Sequence, residues 1–236
     1  MAEPELRFWH KQGHPDSFEG VPILYANQFA LKVGFDKLAT SRFLQDNELP
    51  YLKTEIASEA FESFALPCIL KSRQGSGSKN LFVIRDEESL RFYATRNPTA
   101  ILQQLVEGES EEYTCGVFRS PGCGTRSIIF RRKLQGGLTG SGEVVVSDSI
   151  RNLLESMAAK LDLRGSINVQ LRMRGNTPLV FEINPRFSST VMFRHKLGFK
   201  DLIWSIQDCF NEPVSDYAAP IGKITFFRGA EEVFYS

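Results

Sequence analysis

Residues 181–190 read Phe-Glu-Ile-Asn-Pro-Arg-Phe-Ser-Ser-Thr, and this short stretch decides how the rest of the sequence is interpreted. Because side chains alternate along a strand, Glu182 and Asn184 are predicted to lie on the same face. A carboxylate and an amide oxygen, with no His or Cys nearby, form a set of hard oxygen ligands suited to Mg²⁺. Arg186 follows and could neutralise a phosphate or carboxylate held by the metal. A half-exposed strand with ordinary polar residues is the alternative that this pattern leaves open.

A second strand precedes this stretch and is predicted to pair with it in a hairpin. Strand-like runs at 167–173 and 179–183 flank a turn that contains Gly175 and Asn176, two residues typical of hairpin turns. Gln170 lies on the first of these runs. If the register places it opposite the carboxylate of the second run, its amide oxygen supplies a third ligand on the same face.

A glycine-rich loop lies farther upstream, directly after a strand that ends in a basic residue, Lys71. The small residues of this loop are Gly75, Ser76, Gly77 and Ser78. Glycines allow backbone N–H groups to approach an anion closely, and serine hydroxyls add further donors. The loop does not match the phosphate-binding P-loop, which requires GxxxxGK[ST] leading into a helix. An ordinary hairpin loop is the alternative interpretation.

An apolar run at 101–106 breaks at Glu107 and Gly108 and is followed by a second strand that begins near Tyr113. Such a break could form a hinge that lines a cleft. Main-chain groups at the hinge could pair with the edge of a base, while Glu112 reaches a sugar or a metal. An unremarkable hairpin explains the same pattern.

Helical and strand patterns alternate along the chain in a way that predicts an α+β fold. Asp36 and Asp86 are typical helix caps, and they predict helices at 37–46 and from 86 to about 95. The clearest helical spacing runs from Ile150 to Leu161, where apolar residues recur every three or four positions. Hairpins interleaved with helices favour layered α+β architecture over a doubly wound parallel sheet. Residues 1–20 show no helical or strand period longer than a few positions.

Composition excludes several classes of protein. Lys plus Arg and Asp plus Glu both number 28, so the balanced charge argues against a polyanion such as DNA as the main partner. No apolar run is long enough to span a bilayer, and the first residues lack the apolar core of a secretion signal. Four scattered cysteines without a CxxC pair indicate reduced thiols. We therefore expect a cytoplasmic protein that binds neither nucleic acid nor membrane.

Two further basic features leave alternatives open. Arg131, Arg132 and Lys133 end a predicted strand, and a solvated strand edge is the favoured interpretation. Contact with a phosphate or an acidic substrate is the alternative. Arg194 follows the oxygen-rich stretch and is a candidate for holding a substrate carboxylate.

Taken together, these elements resemble the ATP-grasp family, in particular the branch of the carbamoyl-phosphate synthetase large subunit and the ligase of pyrrolysine biosynthesis. The matching segments, in chain order, are DK at 36–37, K at 71 with GSGS at 75–78, QQLVEGESEEYT at 103–114, GGLT at 136–139, SGE at 141–143, GSINVQLR at 165–172 and FEINPRFSST at 181–190. The resemblance implies an ATP-grasp fold, in which two α+β subdomains enclose a nucleotide. It covers roughly the region from 36 to 228.

The resemblance also implies roles for the residues that bind the nucleotide. Lys37 and Lys71 would contact the phosphates of ATP from different subdomains, and the loop at 75–78 would close over them as a lid. The adenine pocket would be lined by Gln103, Gln104 and Val106. Glu112 would face the ribose.

The same resemblance implies the metal ligands and the reaction. Gln170, Glu182 and Asn184 would hold Mg²⁺, and Arg186 would stabilise an acyl-phosphate intermediate. Gln170 stands where many relatives carry an acidic residue, which is expected to weaken binding of the metal pair. The implied reaction joins a small-molecule carboxylate to an amine or ammonia.

The implied domain order assigns 1–35 to a remnant of a preceding domain or a linker. Residues 36–108 would form the small subdomain, or lid, and residues 109–236 the large subdomain with the metal site. On this resemblance the preceding α/β domain of the family is expected to be largely missing, and a second hypothesis is a nucleotide-binding subunit or fragment without independent catalysis. A partner chain or a homo-oligomer would then complete it.

Overall fold

The computed structural model describes residues 3–75, 81–107 and 111–229. Its helices are α1 (Glu3–Lys11), α2 (Gln28–Gly34), α3 (Lys37–Asp46), α4 (Ala57–Ala60), α5 (Glu87–Arg96), α6 (Asp148–Lys160), α7 (Val191–Lys196) and α8 (Asp201–Cys209). Within this described part of the chain, each helix is too short or too polar to cross a bilayer.

The strands form three sheets. They are β1 (Ser17–Phe18), β2 (Val21–Pro22), β3 (Thr54–Ile56), β4 (Cys68–Lys71), β5 (Phe82–Ile84), β6 (Ile101–Gln104), β7 (Glu112–Ser120), β8 (Gly124–Gln135), β9 (Leu138–Val144), β10 (Gly165–Arg174), β11 (Thr177–Asn184) and β12 (Thr225–Phe227). The largest sheet has the order β11-β10-β7-β8-β9-β12, a smaller one the order β3-β6-β4-β5, and β1 pairs with β2. The mixed α+β fold is therefore confirmed.

One face of the six-stranded sheet packs against helices and forms the largest hydrophobic core. α6 contributes Ile150, Leu154 and Met157, and its N-cap residue Ser147 accepts a hydrogen bond from the amide of Ile150. The helical spacing in the sequence predicts this helix correctly. Its buried face covers one side of the sheet. The other side carries polar residues and a further apolar cluster, in which Phe118, Ile128 and Phe130 of the sheet pack with Phe199 and Trp204.

The smaller sheet has its own core with α4 and α5, so the molecule contains two lobes. α5 begins after Asp86, as predicted, and its Leu90 and Ala94 are buried in this second core. α3 begins after Asp36, whose carboxylate accepts hydrogen bonds from the amides of Leu38 and Ala39. This cap was also predicted correctly.

The predicted domain limits at 35/36 and 108/109 remain predictions, and two observations bear on them. α3, which they assign to the small subdomain, contributes Phe43 and Leu44 to the core of the six-stranded sheet. Within 1–20, where the sequence shows no helical period longer than a few positions, α1 nevertheless forms and buries Leu6 in the same core.

Candidate functional site

On the face of the six-stranded sheet opposite α6, the strand register brings together polar side chains of β10 and β11, beside the apolar cluster of Phe118, Ile128 and Phe130. Gln170 on β10 pairs with Glu182 on β11, and Asn168 pairs with Asn184. The register thus meets the condition under which Gln170 lies on the same face as Glu182; its role as a metal ligand remains a prediction. Because directly opposed residues share a face, three oxygen-bearing side chains predicted as metal ligands lie on one side of the hairpin.

A bulge next to this pair shapes the edge of the site. The register shifts between Gln170 and Leu171, so that Phe181 on β11 has no direct partner on β10. Bulges of this kind locally change the direction of a strand. The carbonyl of Phe181 accepts a hydrogen bond from Lys71 Nζ at 3.5 Å, and the same ammonium lies 5.6 Å from the Phe181 ring centroid.

Lys37 reaches the same place from the first turn of α3. Its Nζ lies 3.3 Å from Glu182 Oε1 and donates to the carbonyl of Gly75 at 2.7 Å. Two lysines from separate elements therefore converge on the β11 strand. Ser76, Gly77 and Ser78, the other predicted lid residues, lie outside the described residues.

Lys71 is buried, and its electrostatic surroundings are those of a binding site. Burial lowers the pKa of Lys71 to about 8, against the opposing attraction of Glu182; Lys37 lowers this pKa further, and Glu112 raises it. A lysine whose pKa lies this close to neutrality can still carry its charge at physiological pH. Strongly shifted pKa values of this kind cluster at functional sites.

Each of the three predicted metal ligands is engaged by a cationic side chain. Glu182 pairs with Lys37, Gln170 Oε1 accepts from Arg132 at 2.9 Å, and Asn184 Oδ1 accepts from Arg186 at 3.2 Å. Such oxygens are positioned to receive positive charge, and hard oxygen donors are the ligands that Mg²⁺ prefers. The carboxylate of Glu182 and the amide oxygen of Asn184 therefore fit a magnesium ion.

Glu112 lies on the same face but is bonded to arginines. Its Oε1 accepts from Arg132 through Nε at 3.0 Å and through Nη2 at a shorter separation, and its Oε2 accepts from Arg172 at 3.1 Å. The predicted contact of Glu112 with a ribose remains a prediction. Any ribose that reaches this carboxylate must share it with two guanidinium groups.

The predicted adenine-pocket residues lie at the junction of the lobes. Gln103 is buried and donates to the Thr54 hydroxyl at 3.0 Å, so its side chain is held inside the smaller lobe. The amide of Gln104 bonds to the carbonyl of Lys53 at 2.9 Å. Val106 packs in a small apolar cluster that joins the lobes, together with Leu52, Leu179 and Phe181.

Two glycines allow neighbouring parts of the chain to pack closely against the site. A Cβ on Gly34, the last residue of α2, would lie 2.7 Å from the Pro185 ring, so only glycine lets α2 pack against the turn after Asn184. A Cβ on Gly116 would lie 2.8 Å from the Arg194 guanidinium. Both contacts explain why these positions carry no side chain.

Arg132 is the residue that the sequence interpretation placed wrongly. The favoured interpretation was a solvated strand edge, but its side chain is only 9% exposed and contacts Glu112 and Gln170. Arg131, one position earlier, lies on the opposite face and pairs with Glu111 and Glu143. The signal for Arg132 is its strand parity, because it follows the buried Phe130 by two positions.

Arg194 is not available to a substrate, contrary to its proposed role in holding a carboxylate. It is fully buried, its Nη1 lies 3.4 Å from Asp201 Oδ2, and its Nη2 donates to Asn168 Oδ1. Among the described residues, Nε of Arg194 and Oδ1 of Asp201 have no hydrogen-bond partner. Burial lowers the pKa of Arg194, whereas the charge of Asp201 opposes that shift.

A cavity of about 400 Å³ lies elsewhere, between α3, β3 and α4. Its lining residues are Leu38, Arg42, Gln45, Tyr51, Lys53, Thr54, Glu55, Ile56, Glu59 and Ala60. None of them is a predicted site residue. The chemistry-bearing side chains thus meet on the sheet face and not in this cavity.

The part of the chain that matches known proteins includes these site residues. Residues 35–190 match the family model described as an ATP-grasp domain. A carbamoyl phosphate synthase large chain from Kocuria rhizophila is 24% identical over 198 residues, which is 75% of this chain and 18% of that protein. The chain therefore spans less than a fifth of the length of this curated relative.

Solved structures share the fold at low identity. N5-carboxyaminoimidazole ribonucleotide synthetase from Thermus thermophilus superposes with a TM-score of 0.73 at 17% identity, covering 93% of this chain and 61% of that one. The biotin carboxylase domain of Hydrogenobacter thermophilus 2-oxoglutarate carboxylase, solved with MgADP and bicarbonate, gives 0.74 at 13% identity and covers 93% and 54%. The chain spans about half to three-fifths of these neighbours.

Proposed function

This chain belongs to the ATP-grasp family, and on that premise we propose that it binds Mg²⁺ and ATP between its lobes and activates a carboxylate as an acyl phosphate. An amine or ammonia then attacks the activated carboxyl group. The carbamoyl phosphate synthase and the N5-carboxyaminoimidazole ribonucleotide synthetase that the chain resembles support the general class of ATP-dependent ligase. Substrates and the reaction mechanism are part of the proposal.

The observation that carries this proposal is the convergence of two lysines and three oxygen donors on one sheet face. Lys37 comes from α3 and Lys71 from the smaller sheet, yet both ammonium groups reach β11 at Glu182 or its neighbour. Gln170 and Asn184 add neutral oxygens beside that carboxylate. A triphosphate with its metal requires this combination of cations and hard oxygen ligands.

The proposed chemistry follows from these contacts. Mg²⁺, when bound, would supply charge neutralisation at the phosphates. A carboxylate oxygen of the substrate forms a bond to the γ-phosphorus, and the bond from that phosphorus to the oxygen of ADP breaks. The amine nitrogen then bonds to the acyl carbon, and inorganic phosphate leaves with the electron pair of the C–O bond.

The remaining residues have binding roles in this proposal. Lys37 and Lys71 hold the phosphates, and Arg186 lies beside Asn184, where it can stabilise the acyl phosphate. Main-chain groups of Gln103, Gln104 and Val106 would line the adenine pocket. The loop at 75–78 would close over the phosphates and exclude water from the activated group.

A second candidate function is nucleotide binding without independent catalysis. The chain spans 61% of the Thermus thermophilus enzyme and 18% of the Kocuria rhizophila chain, so the activity of either whole protein is a proposal for this chain. A partner chain, or another copy of this one, would then contribute the rest of the substrate site. Both candidates share the same nucleotide site.

Calorimetric titration with Mg²⁺ and AMP-PNP tests the shared site. We expect Lys71→Met to weaken binding about tenfold or more, since a buried charge-assisted contact is lost. Lys53→Met is the matched control, because Lys53 is an exposed lysine of the smaller lobe that pairs with Glu55. Equal affinity of the wild-type chain and Lys71→Met would contradict the proposed site.

Release of inorganic phosphate from ATP, screened against panels of small carboxylates with ammonia or amines, separates the two candidates. Steady release that requires both a carboxylate and an amine supports the ligase. Nucleotide binding without such release by the isolated chain supports the non-catalytic candidate.

A further inference from the structure

Arg132 lies inside the proposed nucleotide site, where neither the metal ligands nor the phosphate-binding lysines account for it. On β8 its direct partners are Glu112 on β7 and Gly142 on β9. Its guanidinium reaches diagonally across the sheet to Gln170 and is 3.4 Å from the Thr139 hydroxyl. An arginine held by this many partners presents a fixed positive charge to the face.

The contact with Gln170 involves the atom that would bind a metal. A glutamine side chain has one acceptor, Oε1, and its amide nitrogen only donates. Arg132 Nη2 donates to this Oε1 at 2.9 Å. A divalent cation on the same oxygen would therefore sit beside a guanidinium group, and like charges at such short range repel strongly in a partly buried site.

Glu112 makes the arrangement difficult to rearrange. Arg132 contacts Glu112 through both Nε and Nη2, so the guanidinium is held at Gln170 by a charged partner. Only 9% of the Arg132 side chain and 16% of the Glu112 side chain are exposed, so solvent screens this pair weakly. The Arg132 guanidinium is thus a fixed component of this face of the sheet.

The charge balance of the site agrees with this view. The described cationic side chains that reach the face are Lys37, Lys71, Arg132, Arg172 and Arg186, and the described carboxylates bonded to them there are Glu112 and Glu182. Positive charge is in excess before any metal binds. A second cation at Gln170 would add further positive charge directly beside the Arg132 guanidinium.

We propose that Arg132 takes the place of a second divalent cation at Gln170, so that this chain binds its nucleotide together with a single divalent ion. The inference rests on the proposed function and specifies the metal content of the same site. Glu182 and Asn184 then hold the single ion. Arg186 also touches Asn184 Oδ1, but its described partners are neutral oxygens, whereas a largely buried carboxylate holds Arg132 in place. Gln170 serves to position Arg132 next to the nucleotide.

Electron paramagnetic resonance of Mn²⁺ tests the stoichiometry without relying on activity. Mn²⁺ is titrated into the chain with AMP-PNP, and bound ions are counted from the loss of the free-ion signal after the loss in a matched titration of AMP-PNP without the chain is subtracted. We expect one bound Mn²⁺ per chain. Two bound ions per wild-type chain would overturn the assignment of Arg132.

Variants identify which residue sets the count. The double variant Arg132→Gln/Gln170→Glu removes the guanidinium and supplies a carboxylate, and we expect it to bind two Mn²⁺ per chain. Gln170→Glu alone keeps Arg132 and its partner Glu112, and we expect it to bind one. Two ions in Gln170→Glu, or one ion in the double variant, would show that Arg132 does not exclude the second ion.

Arg131→Gln is the matched control. It removes the same charge from the adjacent position of β8, but on the opposite face, where Arg131 pairs with Glu111 and Glu143. We expect its count to remain at one. Failure of the wild-type chain to bind AMP-PNP would overturn the proposed function itself, whereas binding with two ions overturns only the role of Arg132.

Discussion

The two faces of strand β10 differ completely in what they contact. Ile167, Val169 and Leu171 are at most 1% exposed and pack in the core beneath α6. The residues between and after them, Asn168 and Gln170 among them, lie on the face that carries the lysines and arginines. Because alternation along a strand is strict, a shift of one residue would exchange the two sets. The core therefore fixes the register on which the site depends.

The polar face itself divides into a closed part and an open part. At Asn168 it is covered by α7 and α8, and Arg194 and Asp201 fill the space. At Gln170 it meets the smaller lobe, where Lys71 reaches across. Polar residues in the closed part are expected to support folding, whereas those in the open part are expected to support binding.

The largest expected effect is a loss of unfolding free energy when a residue of the closed part is replaced. Replacing Arg194 by Ala leaves the buried Asp201 without its charged partner, which typically destabilises a protein by about 3–5 kcal/mol. Urea unfolding followed by circular dichroism measures this loss. The double variant Arg194→Met/Asp201→Leu removes both charges and is expected to recover much of the stability. A single variant as stable as the wild-type chain would show that the closed part is not structural.

The next prediction compares the two faces directly. Leu171→Ala creates a cavity in the main core and is expected to cost about 2–5 kcal/mol of unfolding free energy. Gln170→Ala, one position earlier, is expected to cost much less, because it removes no core packing. The same urea titration measures both. Equal losses would mean that the polar face contributes to stability as the core does.

Local sequence signals were sufficient to predict the elements that are defined within a few residues, by a helix cap, a turn or an apolar repeat. Asp36 caps α3, and the turn with Gly175 and Asn176 joins β10 to β11. α1 was not predicted because a single buried residue, Leu6, gives no apolar repeat in the sequence. The burial of Leu6 depends on the distant six-stranded sheet. β9 was missed because Gly140 and Gly142 interrupt its strand pattern.

The site was predictable to the extent that it lies on one hairpin. Glu182 and Asn184 alternate on a single strand, and Gln170 follows from the hairpin register. Arg132 lies opposite Glu112 in the hairpin of β7 and β8, but its contact with Gln170 depends on β10 lying next to β7, a long-range pairing that local patterns do not specify. The covering of Arg194 by its own helix likewise depends on how α7 and α8 pack.

Glu182→Gln tests whether the open part binds a cation. The change preserves shape and removes the charge that pairs with Lys37. Loss of groups that support a metal ligand typically weakens metal affinity about 10- to 100-fold, and we expect at least this loss in Mn²⁺ affinity at saturating AMP-PNP. Asn184→Asp, which adds charge, serves as the opposite change and is expected to strengthen Mn²⁺ binding. Unchanged Mn²⁺ affinity in both variants would show that the divalent cation does not bind to this face.

The smallest effect is expected from pH, because it titrates one lysine of the open part. Burial lowers the pKa of Lys71 to about 8, so this ammonium is charged below that pH and loses its proton above it. If the triphosphate requires the charged form, the dissociation constant of AMP-PNP rises about tenfold between pH 7 and pH 9, since one pH unit above the pKa leaves about a tenth of the lysine protonated. Lys71→Arg keeps its charge throughout this range and is expected to show no such rise. A wild-type affinity that is equally flat from pH 7 to pH 9 would mean that Lys71 does not meet the phosphates.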